Sequence, residues 1–119
     1  MSQPVALAAL TEQVDAFGTV AYAVTAGEAG AAHVVSVTAA WDGDELVVGA
    51  GRHTSQNVEA NGTLTLLWPA PPGNPYSLIV DGTARVVPDA EAIAIHPTRA
   101  VLHRIAGADP SLDSCVVVL

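Results

Sequence analysis

From residue 20 onward the chain repeats one pattern. Short β-branched runs with a two-residue period are each closed by Gly, Pro, Asn or Asp. Helical segments between these runs are almost wholly missing. A parallel sheet needs a crossover, usually a helix, between most strands. The pattern therefore predicts an antiparallel barrel or sandwich of six or more strands.

The runs can be placed. Val20, Tyr22 and Val24 alternate with Ala21, Ala23 and Thr25, and residues 27–32 form a small-residue turn. Residues 33–40 make a second strand and 45–49 a third, joined through Trp41-Asp42-Gly43-Asp44, where Asp-Gly tolerates positive φ. A fourth strand is expected at 63–68. Residues 69–75 hold four of the eight prolines and form an irregular loop. A long strand at 76–87 is expected to bend near Asp81-Gly82. Two more are expected at 91–96 and 99–104, on either side of Pro97, and a last one at 114–119.

Two helices are expected. Ser2 can cap the first and Pro4 fits its opening turn. Leu7, Leu10, Val14 and Phe17 make an apolar stripe at spacings of three and four, with Glu12 and Asp15 left to water, and Gly18 ends the helix. The second is short, capped by Thr54 or Ser55 and running to about Ala60 before Asn61-Gly62.

Composition narrows the function. Half of the 119 residues are apolar, enough for one buried core, and no stretch is long and apolar enough to span a bilayer. The first ten residues lack the basic region of a secretory signal, which points to the cytoplasm. Cys115 is the only cysteine, so no intrachain disulfide can form and a multi-thiolate zinc site is excluded. Its apolar setting suggests a buried, inert thiol. The chain has no lysine, four arginines and a net charge of −8. Nucleic acid and anionic membranes are therefore poor partners.

One segment nevertheless suits an anion. Gly49 and Gly51 allow close backbone approach, Arg52 can form a bidentate charged hydrogen bond, and the next helix start offers unpaired amides. Thr54 and Ser55 add hydroxyls. The four histidines show no metal-ligand spacing, so no metal is expected. His53, beside Arg52, is the one placed to touch a ligand. No Ser-His-Asp or cysteine nucleophile signature is present. Trp41 and Trp68 suit packing at a barrel end or an interface, with a wall for a bound ligand as the alternative, and Tyr76 is open to the same two readings.

The order of these pieces resembles the pyridoxamine 5′-phosphate oxidase-like split-barrel family, which includes the actinobacterial flavin- and deazaflavin-dependent oxidoreductases. The resemblance rests on the helix ending Phe17-Gly18, on His33-Val34-Val35-Ser36-Val37, on Trp41-Asp42-Gly43-Asp44 and on Gly51-Arg52-His53-Thr54-Ser55-Gln56-Asn57. Asn61-Gly62-Thr63-Leu64-Thr65-Leu66-Leu67 and Val80-Asp81-Gly82-Thr83-Ala84 complete it. It covers most of residues 5–87 and implies one domain, a six- to seven-stranded antiparallel split β-barrel with an N-terminal helix and one short inserted helix.

It further implies a homodimer with a cofactor at its interface, FMN in the first instance, and hydride transfer to a small-molecule substrate. Ser36, Val37 and Thr38 would flank the ring, Arg52 would pair with the phosphate, and His53, Thr54, Ser55 and Asn57 would surround it. The family's second basic residue has no counterpart here. The alternative cofactor is the 8-hydroxy-5-deazaflavin coenzyme, or none. The alternative function is a non-enzymatic protein binding a flavin, deazaflavin, haem or lipid on the same barrel.

Overall fold

The computed structural model describes residues 3–104 and 115–118, with side chains from Ala9 onward and not at Cys115. Ser2, the side chain of Leu7, Ser114, Leu119 and the thiol of Cys115 therefore lie outside the described residues.

Helix α1 (Gln3–Phe17) ends where Gly18 turns to φ +99°. Its stripe is real at Leu10 and Val14, which are buried in the core, with Phe17 packed against it. Strands β1 (Val20–Ala26), β2 (Ala32–Asp42) and β3 (Glu45–Gly49) follow as two hairpins, with Gly43 at φ +64° in the second turn. Helix α2 (Arg52–Asn61) interrupts the sheet before β4 (Thr63–Trp68), β5 (Tyr76–Val87), β6 (Ala92–Arg104) and β7 (Cys115–Val117). The strand order is β3-β2-β1-β4-β5-β6-β7, and β3 also pairs with β6. Six strands thus close into an antiparallel barrel, and β7 lies outside it on β6. Closure removes two sheet edges that would otherwise need another partner.

Two sequence expectations change. The strands foreseen on either side of Pro97 are one strand, β6. Its partner β5 slips register between Asp81 and Gly82, and Pro97 stands opposite Gly82. A proline has no N–H for the ladder, and a bulge is where a ladder tolerates that loss. Gly82 is required there for a second reason. A Cβ on it would lie 2.6 Å from both the His96 carbonyl oxygen and Ile95 Cγ2.

The second change is the start of α2. Its N-cap is Gly51, with no side-chain cap, so Thr54 and Ser55 lie inside the first turn rather than before it. Ser55 N–H already donates to the Gly51 carbonyl at 3.0 Å.

The barrel interior is filled by Leu46, Val48, Leu64, Leu66, Leu78, Val80, Ile93 and Ile95, all essentially buried. β1 contributes its small residues to this interior. Ala21, Ala23 and Thr25 point in, while Val20 and Tyr22 remain 64% and 43% exposed. Large side chains on β1 therefore face outward, where Val34 and Val117 are also exposed, at 56% and 57%.

Candidate functional site

β2 is eleven residues long and β3 only five. Ala32 to Thr38 pair with β1, and Ala39 to Asp42 pair with β3 on the other edge. The first half of β2 thus has one edge without a strand partner among the described residues. After Gly49 the chain leaves the sheet and turns into α2, which stands opposite that open edge. Between them lies a groove of about 300 Å³, lined by His33, Val35, Ser36 and Val37 on one wall and by residues 49–54 on the other. This is the split in the barrel.

α2 is held in place by its middle and its C-terminal end. Asn57 Nδ2 donates to the Thr25 hydroxyl at 3.0 Å, and Asn61 Nδ2 donates to the Ala26 carbonyl at 2.7 Å. Val58 is buried in the core, and Gly62 closes the helix in the left-handed region, its N–H on the Val58 carbonyl at 2.7 Å. The N-terminus of α2 is thereby aimed at the groove. The first turn of any helix has N–H groups without intrahelical acceptors, and together they carry partial positive charge. Gly51 leaves them without a side-chain cap. Space in front of the glycines is open, since a Cβ on Gly49 or Gly51 would meet nothing within 4 Å.

Charge around the groove is unusual for this chain. Arg52 is exposed at its rim, and the rings of His33 and His53 face each other across it, their centroids 5.9 Å apart and their planes tilted by 54°. No Asp or Glu lines it among the described residues.

The groove gathers Ser36, Val37, Arg52, His53 and Thr54 of the residues singled out from the sequence. Thr54 lines the groove but is almost fully buried, so its hydroxyl is not presented to a ligand. Thr38 lies one position beyond the groove, opposite Val20, and is exposed. Ser55 is half-buried in the first helical turn. Asn57 is turned to Thr25. Trp68 is buried in the core, and its indole N–H donates to the Gly18 carbonyl at 2.9 Å. Tyr76 opens β5 opposite Arg104, its backbone N–H on Asn74 Oδ1 at 2.9 Å.

Sequence reasoning did not single out His33 or Val35 as individual site residues. One signal was available: a strand expected to be longer than its hairpin partner leaves part of an edge unpaired. Among the described residues no three His, Cys, Asp or Glu side chains cluster as a metal site, and no helix is long and apolar enough to cross a membrane.

Comparison with known proteins agrees with this architecture. No family model matches the sequence. A solved protein from Clostridium acetobutylicum, related to general stress protein 26 of the pyridoxinephosphate oxidase family, superposes with a TM-score of 0.65 at 13% identity, over 82% of this chain and 87% of its own. An F420 reductase gives 0.56 at 20% identity, over 69% and 88%. A heme binding protein from Mycobacterium smegmatis gives 0.63 at 14%, over 90% of this chain and 57% of its own. The molecule has the split-barrel fold of the pyridoxamine 5′-phosphate oxidase-like proteins.

Sequence similarity reaches closer. The uncharacterized protein Mb0449c of Mycobacterium bovis is 34% identical over 118 residues, covering 82% of this chain and 83% of its own, and MT0457 of Mycobacterium tuberculosis matches to the same extent. The chain belongs to one family with these mycobacterial proteins.

Proposed function

We propose that the groove binds a phosphorylated flavin, FMN, and that the protein is a homodimeric oxidoreductase acting on a small molecule. One observation carries this reading: an open strand edge faces an uncapped helix N-terminus and an arginine across a concave space without carboxylates.

The residues fit the group. A phosphate would sit against the N–H groups of Arg52, His53 and Thr54, with the Arg52 guanidinium as its charged partner. The open edge of β2 presents alternating backbone donors and acceptors at His33 to Val37, as a ring with polar atoms along one side requires. Val35, half-buried on β2, supplies apolar surface for its face, backed by Val37 in the core. Two of the fold's neighbours are named for F420 and for heme, which supports a flat conjugated ligand on this scaffold. Bound flavin would supply hydride transfer, and the protein would supply orientation and anion binding.

A groove of 300 Å³ is at the small end for a ligand of this size. A second copy of the chain would provide the remaining wall. The outer sheet face suits that role. Tyr22 pairs with Ser36, a groove residue, and Val20 and Val34 are exposed on the same face of the β1–β2 hairpin. Exposed apolar patches of this kind are commonly interaction sites.

The presence of a single arginine in the groove favours a second reading, in which the protein carries its ligand without turning it over. Titration with FMN, followed by flavin fluorescence, tests both. Binding by the wild type, weakened about 10- to 100-fold in Arg52→Ala with unchanged melting, supports the seat. Reduction of bound flavin by a hydride donor and its reoxidation by a substrate would establish the enzyme. A protein that leaves FMN fluorescence and absorbance unaltered would end both readings.

A further inference from the structure

We infer that His33 and His53 form a proton-dependent clamp that supplies the missing second cation of the anion seat, so that a phosphorylated ligand is held more tightly as pH falls. The inference rests on the phosphate reading above and adds a residue, His33, and a dependence that reading does not contain.

The geometry brings together two residues from different elements. His33 is half-buried on β2 and His53 is exposed on the first turn of α2. Their rings approach across the groove at 5.9 Å between centroids, close enough for one anion to reach a nitrogen of each at hydrogen-bond distance. Arg52 adjoins His53 in sequence and lines the same groove. Neither ring forms an ion pair with a carboxylate among the described residues.

The charged groups of the surrounding elements leave this cluster alone. On β3, Glu45 is taken by Arg85 at 2.9 Å. On α2, Glu59 lines a different cavity with Arg85 and Pro88. Glu91, in the β5–β6 turn, meets residue 50 through its backbone carbonyl. Glu28 lies in the β1–β2 turn, Asp42 and Asp44 lie at the far hairpin, and Asp89 is exposed; none of them lines the groove.

Imidazole is the side chain that changes charge within the physiological range. An anion between two imidazoles favours their protonated forms, and by reciprocity protons favour the anion. Arg52 provides a permanent charge, and the two histidines provide a variable one. Direction separates this effect from the ligand's own titration. A phosphate monoester gains its second negative charge near pH 6. That change alone would strengthen binding as pH rises, opposite to the clamp.

The test compares FMN with riboflavin, which lacks the phosphate, at pH 6, 7 and 8 in phosphate-free buffer. It uses wild type, His33→Gln, His53→Gln and the double variant. His53 is exposed, so its single variant keeps the comparison available if a change at His33 perturbs folding. The wild-type dissociation constant for FMN should rise several-fold, up to about tenfold for each proton taken up per pH unit. The double variant's should stay level or fall, and each single variant should show part of the wild-type rise. Riboflavin binding should not change with pH. Calorimetry at pH 7 in buffers of different ionisation heat should show proton uptake with FMN in wild type and its loss in the double variant. The same pH profile in wild type and both His53 variants would overturn the clamp while leaving the seat intact, provided FMN still binds better than riboflavin. Equal binding of FMN and riboflavin at every pH, or none of either, would overturn the seat and the clamp together.

Discussion

Asn57 Nδ2 donates to the hydroxyl of Thr25 at 3.0 Å, joining the middle of α2 to the inward face of β1. Thr25 is one of two buried polar residues among those described, so this bond satisfies a group that water cannot reach. It also fixes the helix whose first turn forms one wall of the groove. Asn57 lies one turn beyond His53 on α2, past the residues that line the groove it helps to shape.

Replacing Asn57 with Ala should cost about 1–3 kcal/mol, because the Thr25 hydroxyl loses its partner in a buried place. For a domain of this size that corresponds to a fall in melting temperature of roughly 3–6 °C per kcal/mol. FMN affinity should fall as well, since α2 is then held by fewer contacts. Thr25→Val with Asn57→Leu should recover part of the stability, as a matched apolar pair leaves no orphan. Thermal melts of the single and paired variants check this.

The indole of Trp68 does a comparable job at the end of β4, reaching across 50 residues to the Gly18 carbonyl. Trp68→Phe keeps an aromatic ring but removes the N–H and some buried volume. It should lower stability by about 1–3 kcal/mol. If Trp68 only packs, FMN affinity measured well below the melting temperature should match wild type. A change in affinity would show that the tryptophan reaches the ligand after all.

Much of this fold was legible in the sequence, for physical reasons. α1 shows a helical period ended by Gly18, and the Asp42-Gly43 turn demanded positive φ. The bend at Gly82 showed as a glycine inside a strand pattern. Pro97 misled, because a local breaker signal does not reveal that the strand continues through a bulge, with Thr98 as the extra residue of β6 beside it. The start of α2 misled because Thr54 and Ser55 are good caps, yet tertiary bonds from Asn57 and Asn61 place the helix so that Gly51 takes the position. His33 and His53 lie on different elements, and only closure of the barrel brings them face to face. On β1, alternation was evident but its polarity was not. The interior there accepts Ala21 and Ala23, which sends Val20 and Tyr22 outward.

That outward polarity bears on assembly. Val34 is 56% exposed and pairs with Val24 on the barrel surface that also holds Tyr22. If two copies bury this surface, a charge introduced there would have to lose its water without a partner. Val34→Asp should therefore shift the protein from dimer to monomer at micromolar concentration in sedimentation velocity. The circular dichroism of each barrel should remain. A wild type that sediments as a monomer at these concentrations would remove the dimer proposal.

Three glycines separate what folding needs from what the ligand needs. Gly82 faces the His96 carbonyl and Ile95, where a Cβ would come within 2.6 Å of each. Backbone cannot yield as a flexible side chain can, so Gly82→Ala should cost about 3 kcal/mol or more and open the β5–β6 ladder at its bulge. Gly49 and Gly51 present the opposite case. Neither has positive φ, and a Cβ on either would enter open space beside the groove. Gly49→Ala should leave stability within about 0.5 kcal/mol. Gly51→Ala should cost up to about 1 kcal/mol, because alanine is a poorer N-cap than glycine. Both methyl groups would nonetheless stand where a phosphate must approach the backbone, so both variants should bind FMN more weakly while remaining folded. Calorimetric melts paired with FMN titrations distinguish the outcomes. Full affinity in Gly51→Ala would mean that the anion does not seat on the first turn of α2.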